Sequence, residues 1–140
     1  MEQADYILCE CDPGPLESFV RELEPHCTIQ VIRHPAVATT MLRAEDSVEG
    51  QPFYLGEALV TECELNVDGQ AGYGLCLGDE PIRSYCIAFI DALLILSDDR
   101  LPQVEAFLSS QETQITARLQ TEQGLIQRTK VDFKLMEQEQ

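Results

Sequence analysis

Basic residues are scarce in this chain: nine lysines and arginines stand against twenty-five aspartates and glutamates, a formal charge of −16 over 140 residues. That scarcity argues against nucleic-acid binding, because phosphate backbones are held by concentrated Lys and Arg. It disfavours anionic membrane surfaces for the same reason. Histidine is scarcer still. His26 follows Pro25 where a helix should end, and His34 precedes Pro35 in an expected turn, so each reads as a surface or capping residue rather than a catalyst. A nucleophile elbow, an HExxH pair, a GxxxxGK(S/T) phosphate loop and a GxGxxG fingerprint are all missing. A hydrolytic or transfer enzyme needs a nucleophile, a base and a charge stabiliser that converge, and no such set stands out, so the chain is expected to lack a complete catalytic site, a metal site or a cofactor of its own. The six cysteines form no CxxC pair and no zinc-framework spacing. The longest apolar run, residues 86–96, is interrupted by Asp91 and is too short to span a bilayer. Met1 leads straight into acidic residues with no signal peptide, so a cytoplasmic, reducing compartment is the simplest account. Repeats, low-complexity tracts and long linkers are absent, which leaves one domain over residues 1–140.

What is present supports a folded domain. Hydrophobic residues make up 44%, enough for a globular chain, and a chain this long buries roughly two-thirds of its unfolded surface. The acidity is uneven: residues 1–25 hold seven acids against Arg21 alone, whereas residues 101–140 hold six acids against Arg118, Arg128, Lys130 and Lys134. It serves solubility, or it complements a basic partner surface.

Leu16, Phe19, Val20 and Leu23 recur at helical spacing over residues 14–24, closed by Pro25, with a weaker helical turn over residues 4–11. From residue 27 the period becomes two. Cys27, Ile29 and Val31 alternate as a first strand that Pro35 is expected to end. A second strand follows over residues 36–44 and a turn over 45–51. A third spans residues 53–66, with Leu59, Thr61, Cys63 and Leu65 on one side. Asp68-Gly69 is a hairpin signal and residues 70–78 form the fourth. On that strand Ala71, Tyr73, Leu75 and Leu77 face one way. Gly72, Gly74, Cys76 and Gly78 face the other, a surface nearly without side chains that a packed helix, a ligand or a partner can approach closely. Cys63, Cys76 and Cys86 sit in apolar patterns, where a reduced thiol acts as a small hydrophobe.

Asp79-Glu80-Pro81 reads as a helix start with a capping acid and a first-turn proline. The helix over residues 82–96 is apolar nearly all round and should be buried at the centre. Asp91 interrupts it, so its carboxylate must face a solvated groove or accept bonds from a neighbour. A last helix, from residue 102 to about 130 or beyond, carries Val104, Leu108, Ile115, Leu119 and Ile126 in a near-heptad stripe. Gly124 is a point where it could split or kink. At ~1.5 Å per residue, ~30 residues reach ~45 Å, far beyond a domain whose radius of gyration is near ~14 Å. Such a helix overhangs its own domain, which points to work inside an assembly. The fold expected is α+β: a four-stranded, mainly antiparallel sheet with helices packed on one face and a long C-terminal helix.

Several segments, read in order, resemble the PhnG family, the G subunit of the carbon–phosphorus lyase system. They are Val31-Ile32-Arg33, Phe53, Gly56-Glu57-Ala58, Thr61, Cys63, Asp68-Gly69, Gly72-Tyr73-Gly74, Gly78-Asp79, Ile90-Asp91-Ala92-Leu93 and the closing Val131-Asp132-Phe133 after Lys130. Each piece alone is common; their order and spacing over about residues 5–135 are specific. Where the family tends to have Thr-Arg, this chain has Thr61-Glu62. The resemblance implies a cytoplasmic, non-catalytic or contributory subunit that joins PhnI, PhnH and PhnJ. Its complex uses ATP and methylphosphonate to form alpha-D-ribose 1-methylphosphonate 5-triphosphate. Displacement of the base falls to the I subunit, and carbon–phosphorus cleavage, with an iron–sulfur cluster and S-adenosylmethionine, to the J subunit. Candidate partner- or substrate-facing residues are Gly56, Glu57, Thr61, Gly72, Tyr73, Gly74, Asp91, Leu119, Asp132 and Phe133. A homodimeric binding module, or a stand-alone enzyme acting on a small phosphorylated substrate through Arg33, Arg43 and Arg83, are the competing readings.

Overall fold

Helical periodicity at both ends of the chain and alternating apolar residues between them produce a helix pair, a meander and a second helix pair. The computed structural model describes residues 3–46 and 48–138, with side chains as far as Leu125. Its order is α1 (Ala4–Glu10), α2 (Pro13–Leu23), a 3₁₀ turn (Glu24–His26), β1 (Ile29–Glu45), β2 (Pro52–Val67), β3 (Gln70–Leu77), α3 (Pro81–Leu96) and α4 (Leu101–Gln138). The sheet is antiparallel in the order β1-β2-β3.

Three strands, not four, form this sheet, because the first two expected strands are one. β1 runs unbroken through Pro35. Its ladder with β2 shifts between Val31 and Arg33 and again between Arg33 and Ala36, so the pairing skips the proline. β1 is an edge strand, and a proline there removes no bond that a second neighbour would need. Asp68 and Gly69 both take positive φ, 50° and 88°, and close the β2–β3 hairpin as their sequence suggests.

The inward face of the sheet carries Cys63, Leu65, Val67 and Cys76, all buried. Over it lies α3, whose Phe89, Ile90 and Leu93 are also buried. Gly72 and Gly74 set the distance. A Cβ on Gly72 would run into the Ala88 carbonyl, and one on Gly74 into the Ser84 carbonyl. The outer strand of the sheet is finished by neighbours: the Tyr73 N–H donates to Asp91 Oδ2 at 3.0 Å, and the Leu75 carbonyl accepts from Cys9 Sγ at 3.6 Å. This covered edge needs no further strand.

α1 and α2 cap the core through Ile7, Leu8, Leu16 and Val20, and Phe19 stacks on Phe107 of α4 at 4.3 Å between ring centroids. Val104, Leu108, Gln111 and Ile115 of α4 are buried. Arg118 ties the helix to the end of α1, donating to the Glu10 carbonyl at 3.1 Å with the Glu10 and Asp12 carboxylates at 3.8 and 3.9 Å. Residues 119–125 are exposed apart from half-buried Gly124. α4 passes through Gly124 as one helix; at ~1.5 Å per residue it is ~57 Å long.

Candidate functional site

The three arginines of the stand-alone enzyme reading are engaged with their own protein. Arg33 pairs with Glu62 at 3.2 Å on the open face of the sheet. Arg43 lies 5.7 Å from the centre of the Tyr54 ring, far along the hairpin. Arg83 is buried, donating to the Leu8 carbonyl at 2.8 Å and to Glu80 at 3.2 Å. Arg33 and Arg43 are ten residues apart on one strand, roughly 30 Å, so the three guanidiniums do not converge on an anion. Glu62, where the resemblance leads one to expect arginine, spends its charge on Arg33 within the sheet. Among the described residues no cluster of His, Cys, Asp and Glu is arranged to hold a metal ion, and no helix is long and apolar enough to cross a membrane.

A cleft of about 420 Å³ opens between α2 and the start of α3, lined by Glu17, Arg21, Glu24, Ile82 and Tyr85 among others. Burial first, then the nearby Glu24 carboxylate, pushes the Tyr85 hydroxyl up to about 12. Arg21 is held by Glu17 at 2.6 Å. The walls therefore present carboxylates to an incoming anion, the wrong sign for a phosphate. All six cysteines are free thiols. Burial raises Cys63 and Cys76 to about 11 and Cys86 to about 12, so these are space-filling groups rather than nucleophiles.

The candidate residues divide into two groups. Thr61, Gly72, Gly74 and Asp91 hold the fold together. Thr61 is buried; its hydroxyl donates to the Gly78 carbonyl at 2.6 Å and accepts from the Glu80 N–H at 3.0 Å. That clamp, rather than a capping carboxylate, starts α3: Glu80 is its N-cap but makes no side-chain cap bond. Gly72 and Gly74 lie under α3, and Asp91 accepts from β3 as described. Gly56, Glu57, Tyr73 and Leu119 are instead exposed, Leu119 at 42% on the overhang of α4. Asp132 and Phe133 lie outside the residues whose side chains are described.

A larger feature escapes motif reading. β3 pairs with β2 only from Val60 onward, yet β1 and β2 continue together to the Glu45–Pro52 pair. Residues 39–46 and 48–59 thus belong to a two-stranded hairpin projecting beyond the third strand. Met41, Leu42, Phe53, Tyr54, Leu55 and Leu59 are all exposed on it, as is Val48 near its tip, at 88%. The signal was in the sequence: Phe53-Tyr54-Leu55 places apolar side chains on both faces in succession, where a half-buried strand would alternate.

A model of the family described as phosphonate metabolism protein PhnG matches residues 2–138. A relative in Rhizobium meliloti (strain 1021), named alpha-D-ribose 1-methylphosphonate 5-triphosphate synthase subunit PhnG, is 31% identical over 117 residues, covering 83% of this chain and 72% of that protein.

Proposed function

This chain belongs to the PhnG family of phosphonate metabolism proteins, and on that premise we propose that it is an accessory subunit of a carbon–phosphorus lyase complex. In it the chain supports formation of alpha-D-ribose 1-methylphosphonate 5-triphosphate from ATP and methylphosphonate. The observation that carries this reading is the family match over residues 2–138, joined by a relative whose name makes it a subunit of that synthase. The partners in this proposal are the I-, H- and J-type subunits, with the I-type subunit receiving α4. The geometry supports a scaffolding contribution. Arginines are consumed by internal pairs, the cleft between α2 and α3 is lined by Glu17 and Glu24, and α4 carries its stripe past the domain that buries its first half. A cytoplasmic location belongs to the same proposal and is supported by the six free thiols.

Co-expression of the chain with the I-, H- and J-type subunits, followed by affinity purification on a tag carried by this chain, tests the reading. Recovery of the other subunits in fixed stoichiometry is the expected result. A tagged chain that comes off the column alone, folded and monodisperse, would sink it.

A further inference from the structure

We propose that the hairpin built from residues 39–46 and 48–59 is an insertion arm, seated in the assembly in a slot of another subunit whose walls are apolar on both sides and whose rim is basic. This inference rests on the assembly role proposed above and adds to it a second docking element, separate from α4.

The arm begins where three strands become two. Beyond the Ala38–Val60 pair, from Thr39–Leu59 to Glu45–Pro52, β1 and β2 run as an isolated ribbon, about 22 Å at ~3.3 Å per residue. An isolated two-stranded hairpin is marginal in water, and one without a third strand, a helix or a covered face has little apolar burial to hold it. This ribbon nevertheless displays Phe53 and Tyr54, consecutive residues in regular pairs with Ala44 and Arg43 and so on opposite faces, at 47% and 62% exposure. A flat docking surface would cover one of them and leave the other wet. Only an occupant that encloses the arm satisfies both, which is why a slot rather than a patch is inferred.

Charge selects among occupants. Residues 39–59 hold Arg43 against Glu45, Asp46, Glu49 and Glu57, a balance of 1 − 4 = −3. Three of the acids gather at the tip around Val48. Asp46 shapes that tip: its Oδ1 accepts from the Val48 N–H at 3.0 Å and its carbonyl from the Gly50 N–H at 2.7 Å. A second copy of this chain would bring another acidic tip and another −16 molecule, and like charges brought together are unfavourable. A subunit offering Lys and Arg around an apolar slot fits both properties. The bend of the arm is built in, since the register shifts between Leu42 and Arg43, opposite Gly56 with its φ of 139°; a bulge of this kind aims a ribbon away from its sheet.

Two variants of the full chain, co-expressed with the partner subunits, test this. Phe53→Ser/Tyr54→Asp removes the apolar pair, and Glu45→Lys/Glu49→Lys reverses the tip. Both alter exposed positions, so the isolated variants should keep the wild-type circular dichroism and melt within a few degrees of it. The expected result is association weakened at least ~10-fold by either variant, with a shallower salt dependence for the charge-reversed one. Wild-type recovery of partners by both variants would overturn the arm and leave the assembly reading intact. Failure of the wild-type chain to recover any partner defeats the assembly reading instead. A wild-type dimer in light scattering that Tyr54→Asp breaks into monomers would make the occupant a second copy and overturn the heterologous slot.

Discussion

At the residue scale, close approach and bridging bonds decide what tolerates change. Gly74→Ala drives a methyl into the backbone carbonyl of Ser84, which cannot yield without moving α3. Overpacking of this sort costs about 1–3 kcal/mol and sometimes more; chemical denaturation should show a loss of at least the lower figure, and a neutral substitution would refute the contact. Gly124→Ala has the opposite sign. A Cβ there meets nothing within 4 Å and the residue lies inside α4, so replacing it should stabilise the helix by up to ~1 kcal/mol. A second residue-scale effect is electrostatic. Arg100 bridges Asp98 at 2.6 Å and Asp68 at 2.9 Å, and Asp68 Oδ1 also accepts from the Thr28 N–H at 2.7 Å. The Thr28 N–H foremost, with help from Arg100, holds the Asp68 carboxyl below the usual carboxylate range, and Arg100 does the same for Asp98. A carboxyl whose pKa is lowered by folding stabilises the protein fully above its unfolded pKa, about 3.9 for Asp. That contribution fades as pH falls through the lowered folded value. Asp68→Asn should therefore depress the melting temperature clearly at pH 7 and progressively less below about pH 4. An equal depression at pH 7 and pH 2 would remove the linkage.

At the scale of elements, legibility followed burial. α2, the Asp68-Gly69 hairpin, the two-faced β3 and the central α3 could be read because each buries one side and exposes the other, or is buried all round. Ala71, Tyr73, Leu75 and Leu77 face outward as their alternation predicts, and a helix takes the glycine face. Pro35 misleads because the rule that proline ends a strand is a rule about ladders with two neighbours. On the edge strand β1 the register shift absorbs it, and two strands become one of seventeen residues. The roles of Thr61 and Asp91 were legible only in part. A buried hydroxyl on a strand and an acid in an apolar helix announce that each needs a partner, but which backbone group answers depends on the turn after β3 and on the height of α3 above the sheet. Neither is written in local spacing. The arm was hardest to see, because none of the described residues buries it.

At the scale of the whole molecule, the acidic domain has two extensions, the hairpin and the far half of α4, and both carry apolar side chains into solvent. α4 is the sharper case because it can be divided. As far as Arg118 it belongs to the domain: Val104, Leu108, Gln111 and Ile115 are buried, and Arg118 bonds to the end of α1. Leu119 continues the same stripe but is 42% exposed, and an exposed leucine contributes little to the stability of the isolated chain. If a partner buries the stripe, Leu119→Glu places an unpaired carboxylate in a desolvated seam, a loss of several kcal/mol in association. The isolated variant should then melt within a few degrees of wild type while its recovery of partner subunits falls by at least ~10-fold. Ile115→Glu is the control with the reverse pattern, since that side chain is buried at home and its replacement should unfold the domain before assembly is in question. Were Leu119→Glu to lower the melting temperature as Ile115→Glu does and leave association untouched, the far half of α4 would pack internally and its overhang would have no partner to serve.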